Sequence, residues 1–186
     1  LFKKWFSKAE ENEINDPNAV AVATSDKSNQ PNVRMVLLKG LSDKGFVFYT
    51  NFNSKKGGEL KDNQKSSMCF HWKSLRRQVR VLGKVEEVTS KEADDYYNSR
   101  PYKNRISAWA SSQSQILDKR ETFLNKIKEF EKKYPDENNV PRPPHWSGWR
   151  LIPDEIEFWV DGEGRIHERL IYKNTGGKWS KEILYP

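Results

Sequence analysis

Five short runs rich in Val, Leu, Phe and Tyr fall before residue 90, each cut off by turn-forming residues, and this rhythm confines the chain to a mainly antiparallel β architecture. NAVAVATSD, VRMVLLKG and GFVFYTN are separated by SDKSNQPN and LSDKG, and SSMCFHWKS and RRQVRVLGKVEEV follow. Runs of this length between clusters of Gly, Pro, Asn, Asp and Ser belong to hairpins and meanders. The middle reads differently. SKEADDYYNSR opens with Ser90 as a helix cap, and DKRETFLNKIKEFEKKY sets Phe123, Ile127, Phe130 and Tyr134 on one helical stripe. PDENNVPRPPHW is a Pro-rich connector, after which strands return in GWRLIP, EIEFWV, RIHERLIY and KWSKEILY. A short amphipathic helix carrying Leu1, Trp5, Phe6 and Ala9 precedes them all. The expected fold is one domain, residues 1–186, mainly β with peripheral helices. It has a strand block at about 18–89, a helical insert at about 90–135 and a returning strand block at about 148–186, closing as an antiparallel barrel.

Composition removes several alternatives. Hydrophobic residues make up 35% and charged residues 32%, but 12% aromatics and seven Trp supply the bulk that disordered chains lack. No apolar run approaches the roughly 20 residues of a membrane helix, and LFKKWFSKAEENE carries charges where a signal peptide would be apolar. A soluble, cytoplasmic protein without a membrane partner is expected. The single Cys69 excludes an intrachain disulfide, and three His are too few for a metal site, so no metal is expected. The +7 net charge calls for an anionic partner: nucleic acid, an acidic surface or a small phosphorylated ligand.

Strand alternation then sorts the polar residues. In RIHERLIY a period of two puts Arg165, His167 and Arg169 on one face, either the solvated face of an edge strand or a ridge facing an anion. In EIEFWV, Ile156, Phe158 and Val160 form the apolar face, leaving Trp159 beside Glu155 and Glu157, where it either caps a second small core or packs on a ligand ring. Val79, Val81 and Val85 form another apolar face, with Gln78, Arg80 and Lys84 opposite. RMVLLK is apolar on both faces, as in a central, doubly buried strand, with Arg34 and Lys39 at its ends. Ser54, Lys55 and Lys56 stand at an expected helix N-terminus, where the two Lys are either a solvated pair or a phosphate site favoured by free N–H groups and the helix dipole.

These segments in this order resemble the pyridoxine (pyridoxamine) 5'-phosphate oxidases. The resemblance runs from about Pro31 to Trp159 and on to Tyr172 through RMVLLKG, GFVFYTN, SKK, RRQVRV, YYNSRP, SAWASSQS, EIEFW and RIHER. It implies an FMN-binding split β-barrel working as a homodimer, with FMN between the subunits. Cofactor contacts would fall on Arg34, Met35, Val36, Leu37, Leu38, Lys39, Tyr49, Thr50, Lys55, Lys56, Gln78, Gln113, Ser114, Trp159 and Arg169. The substrate, a small phosphorylated B6 vitamer, would be held at its phosphate by Lys39, Tyr96, Arg100 and Asn104 and at its ring by the catalytic pair Arg165 and His167. The implied reaction oxidises pyridoxine or pyridoxamine 5'-phosphate to pyridoxal 5'-phosphate, with dioxygen as acceptor and hydrogen peroxide as product. The sequence departs from the family pattern at Asn104, usually Ser, at Ser107, usually Gly, and at Ile183, where an Arg is common. The rivals are another flavin split-barrel oxidoreductase of the phenazine-pathway type and a basic nucleic-acid-binding barrel.

Overall fold

The two ends of the main sheet are joined by only two residues, and that link makes the sheet curl. The computed structural model describes Leu1–Pro186. Its strands are β1 (Ala19–Ser25), β2 (Pro31–Leu37), β3 (Gly40–Ser42), β4 (Gly45–Asn51), β5 (Lys65–Trp72), β6 (Arg77–Glu87), β7 (Trp146–Val160), β8 (Glu168–Thr175) and β9 (Lys178–Leu184). All pairings are antiparallel, in the order β2-β1-β5-β6-β7-β4-β3, with β8 added to β7 and β9 to β8. Strands β2 and β3 stand at opposite ends of this order yet are separated in the chain only by Leu38 and Lys39. The sheet therefore bends back on itself into a barrel with a seam between β2 and β4. The long β7 pairs with β6 along one edge and, along the other, with β4 over its first half and β8 over its second. The register against β6 shifts between Leu82 and Gly83, where a Cβ on Gly83 would sit 1.9 Å from the Ile152 carbonyl oxygen, so only glycine permits the approach.

Inward alternation fills the barrel as the sequence pattern requires. Val79, Val81 and Val85 are buried together with Val20, Val22, Phe48, Met68 and Phe70. Helix α1 (Phe2–Asn12) closes one end: the Phe2 ring lies 4.9 Å from Phe46 and 5.1 Å from Phe70, and Trp5 meets Phe158 edge-on at 5.1 Å. The remaining helices are α2 (Lys55–Asp62), α3 (Ser90–Asn98), α4 (Tyr102–Ala110) and α5 (Arg120–Lys133). The α5 stripe of Phe123, Ile127, Phe130 and Tyr134 is half-buried, and Phe130 and Tyr134 pack on Trp109 of α4. No helix is long and apolar enough to cross a membrane.

Four local readings change. The cap of α3 is Thr89, not Ser90, because Thr89 and Glu92 exchange hydrogen bonds in a capping box that Ser90 is one position too late to make. GWRLIP and EIEFWV are one continuous strand, β7. The ridge of Arg165, His167 and Arg169 does not exist as a strand face: Glu163–Arg165 is a turn of 3₁₀ helix, Arg165 has φ +68°, and β8 begins only at Glu168. Finally, β2 is an edge strand rather than a central one. Its Val33 and Met35 remain 64% and 63% exposed, so the face that reads as buried has no cover within a single chain.

A buried ion pair ties α2 to the barrel. Glu59 is 5% exposed and accepts from Thr24 (2.5 Å), Asn32 (3.1 Å) and Arg34 (3.0 Å). Burial alone would raise this carboxyl; the three hydrogen bonds outweigh it and hold the pKa below the ordinary 4.5. A carboxyl depressed in the folded state stabilises above its unfolded pKa and loses that contribution as pH falls through the folded one. Glu59→Gln should therefore cost about 3 kcal/mol near neutral pH, since it leaves Arg34 without its counter-charge. The gap from the parent protein should narrow below about pH 4.5, the ordinary carboxyl value. Urea unfolding at neutral and acid pH measures both; a gap independent of pH would show that the charge is not responsible.

Candidate active site

A cleft of about 510 Å³ opens at the barrel seam. Met35, Val36, Leu37 and Lys39 line it from β2 and the link, and Tyr49 and Thr50 from β4. Lys56 of α2 closes one end, and Tyr96 of α3, Arg100, and Asn104 and Ser107 of α4 form the opposite wall. Three cations, Lys39, Lys56 and Arg100, line this cleft, and no carboxylate does.

Local chemistry explains how Lys56 arrives there. At the end of β4 the Ser54 hydroxyl donates to the Asn51 carbonyl (2.6 Å) and accepts from the Gly57 N–H (3.3 Å), turning the chain into α2 with Ser54 as its cap. Lys56 then reaches back, its Nζ donating to Thr50 Oγ1 and Gln113 Oε1, both at 2.8 Å. Burial, with Arg34 nearby, pushes the Lys56 ammonium down to about 8. The other wall is aromatic. Tyr49 stacks on Tyr96 with centroids 4.0 Å apart and on Trp146 at 5.4 Å, and the Arg100 guanidinium lies 4.7 Å from the Trp146 ring centre. Arg100 keeps Nη1 buried without a hydrogen-bond partner, and burial lowers its pKa. A shielded, unpaired guanidinium N–H is costly unless an anion satisfies it. Helix α3 is held to the barrel by Arg150 of β7, which contacts Glu86 and Glu92, so Tyr96 is carried on a fixed support.

Not every expected residue lies here. Gln78, Trp159 and Arg169 are aligned on three adjacent strands, Gln78 opposite Trp159 and Trp159 opposite Arg169. The ring of His167 lies 4.7 Å from that of Trp159, and Arg165 stands exposed in the turn before it. None of these five lines the cleft. Arg169 donates to Glu157 (2.9 Å) and to the Tyr185 carbonyl (3.0 Å), and Arg80 takes the other Glu157 oxygen at 3.1 Å. Arg34 is engaged by Glu59, Leu38 is buried in the core, Lys55 is exposed, and Ser114 lies beyond Gln113 in a separate surface pocket. Sequence reasoning missed Trp146, the ring on which both Tyr49 and Arg100 pack; a bulky aromatic closing the Pro-rich connector was its only signal.

Curled barrel and cation-lined cleft together define a β-barrel protein with a seam pocket suited to a small anion. The chain belongs to the pyridoxamine 5'-phosphate oxidase family: residues 6–134 match the family model of that description, and residues 146–186 match the pyridoxine 5'-phosphate oxidase C-terminal dimerisation region. It is 60% identical to the pyridoxine/pyridoxamine 5'-phosphate oxidase of Pelagibacter ubique, over the whole of this chain and 90% of that one. It is 54% identical to the protein of the same name from a Chelativorans species, covering 89% of it. Among solved structures, PhzG from Burkholderia lata, in complex with tetrahydrophenazine-1-carboxylic acid, superposes with a TM-score of 0.94 at 29% identity, covering all of this chain and 90% of that one. A pyridoxamine 5'-phosphate oxidase-related, FMN binding protein from Nostoc punctiforme shares the fold at a TM-score of 0.80 and 17% identity, over all of this chain and 97% of its own.

Lys56 yields a direct test of the anion reading. Binding of a phosphate monoester such as FMN to cofactor-free protein should weaken as pH rises above about 8, where the free Lys56 ammonium loses its proton. Lys56→Arg, whose guanidinium stays charged, should abolish that limb, and Lys56→Ala should weaken binding about tenfold or more at neutral pH. Calorimetric titration across pH reads all three; a limb that survives in Lys56→Arg assigns it to another group.

Proposed function

We propose that the protein is an FMN-dependent oxidase that converts pyridoxine and pyridoxamine 5'-phosphates to pyridoxal 5'-phosphate, working as a homodimer. The observation that carries this reading is the cleft itself, small-molecule sized, with three cations, no carboxylate and an aromatic wall. Both ligands of such an enzyme carry a phosphate on an aromatic body. The residues present fit them: Lys56 and Thr50 suit one phosphate at the start of α2, and Arg100 with its unpartnered Nη1, together with Lys39, Tyr96 and Asn104, suits the other. At Asn104 the side-chain amide retains the donor that a Ser hydroxyl would supply. FMN, when bound, supplies two-electron acceptance from the substrate C4' carbon and passage of those electrons to dioxygen, giving hydrogen peroxide.

The chain's own contribution is binding and orientation. Gln78 can both donate to and accept from the edge of a planar heterocycle, and Trp159 offers it an aromatic neighbour. Arg165 and His167 hold the substrate ring; Arg169, joined to Glu157, braces the strand on which Trp159 sits. These groups and the cleft lie on separate parts of one chain, and β2 leaves Val33, Met35 and Leu37 exposed. A two-fold dimer resolves both facts, covering the β2 face and bringing one protomer's His167 cluster to its partner's cleft. The phenazine-type rival has weaker support, since its structural relative shares 29% of residues against 60% for the pyridoxine/pyridoxamine oxidase of Pelagibacter.

Purified protein should show flavin absorbance, sediment as a dimer and release pyridoxal 5'-phosphate and hydrogen peroxide in equal amounts. His167→Ala should retain its flavin while turnover falls on the order of a hundredfold, the effect of a misplaced reacting group. Val33→Glu should yield monomers that lose flavin together with activity. A colourless protein, or turnover of a reduced phenazine but not of pyridoxamine 5'-phosphate, would defeat the assignment.

A further inference from the structure

His167 sits in a tight loop whose geometry fixes more than the position of the ring. After β7, Gly162 turns the chain back so closely that a Cβ there would lie 1.9 Å from the Ile166 carbonyl oxygen. This brings Asp161 and His167 side by side, with Asp161 Oδ1 3.1 Å from His167 Nδ1. Both side chains are largely shielded, at 21% and 16% exposure. Asp161 is itself anchored, by Arg76 at its other carboxylate oxygen and by its own N–H donating to the Arg76 carbonyl at 3.0 Å. The Trp159 ring, 4.7 Å away, limits the imidazole from one side. Nδ1 has a second neighbour, the Gly162 N–H at 3.2 Å.

The two neighbours of Nδ1 demand opposite protonation. Asp161 needs a proton on Nδ1; Gly162 needs a lone pair there. A bare Nδ1 would set its lone pair against a carboxylate, whereas a protonated one makes a charge-assisted hydrogen bond, roughly twice as strong as a neutral one. The tautomer of a functional imidazole is set by the partner of its other nitrogen. We propose that Asp161 is the positioning residue of His167: it holds Nδ1 protonated, fixes the ring plane, and leaves Nε2 as a bare acceptor for the substrate. Nε2 makes no hydrogen bond within the chain, consistent with that role. The proposal rests on the reading of His167 as a substrate-side residue, but the tautomer is a property of the protein alone.

The test uses Asp161→Ala and Asp161→Asn. Two-bond ¹⁵N–¹H correlations of labelled protein at about pH 8.5, where an ordinary imidazole is neutral, report the tautomer directly. The parent should show Nδ1–H. In Asp161→Ala only the Gly162 N–H remains at Nδ1, so the signal should switch to Nε2–H; in Asp161→Asn, whose amide can present either atom, the two forms should mix. Turnover of Asp161→Ala should fall on the order of ten- to a hundredfold, carried by kcat with KM nearly unchanged and flavin content intact. An Nε2–H parent, or a tautomer unmoved by Asp161→Ala, overturns the role of Asp161. Undiminished turnover in His167→Ala overturns the substrate-side reading of His167, whatever the tautomer.

Discussion

Leu38 and Lys39 carry the closure on which the cleft depends. The Leu38 N–H donates to the Asn18 carbonyl at 2.8 Å and its carbonyl accepts from the Asn18 side chain at 3.0 Å, while the next N–H, that of Lys39, donates to the Val47 carbonyl at 2.8 Å. Within one residue the backbone changes partner from the segment entering β1 to β4. Buried Leu38 pins the change, since exposing it would cost about 2 kcal/mol of apolar burial. The result is a seam at which side chains from β2 and β4 meet although their strands lie far apart in the sheet order. Lys39 stands on that seam with its ammonium outside the core, which places a cation in the cleft without burying it.

Charge is segregated around this seam. The two buried carboxylates of the barrel, Glu59 and Glu157, each have arginine partners: Arg34 for the first, Arg80 and Arg169 for the second. Neither carboxylate lines the cleft, and each is satisfied by its own arginine partners rather than by the cleft-lining cations. Such pairs contribute little net stability, because desolvation offsets their attraction. Their value here is geometric: Glu59 locks α2 to β1 and β2, and α2 carries Lys56; Glu157 locks β7 to β6 and β8, and β7 carries Trp159.

Much of this was legible in the sequence where one periodicity decides the outcome. The valine face of β6, the Ser54 cap and the α5 stripe depend on local spacing, and each stands in the structure. The reading failed where local pattern and tertiary context part. RMVLLK carries the pattern of a doubly buried strand because it has two faces to cover, but alternation cannot say whether the cover comes from the same chain. RIHERLIY alternates like a strand, yet Gly162 and Gly164 allow a turn that takes Arg165 and His167 off the ladder. The cleft residues come from five segments between Met35 and Trp146, and only the closure of the barrel brings them together.

The two parts of the proposed site differ in how they are held. Gln78, Trp159 and Arg169 stand on neighbouring strands whose ladders fix their spacing. Tyr96, Arg100 and Asn104 stand on the helical insert, attached by Arg150 to Glu92 and by the stack of Tyr49 on Tyr96. Side-chain attachments of this kind, rather than a strand ladder, hold the insert to the barrel. The proposed site draws on both kinds of support: strand ladders space Gln78, Trp159 and Arg169, while helices carry Lys56, Tyr96 and Asn104.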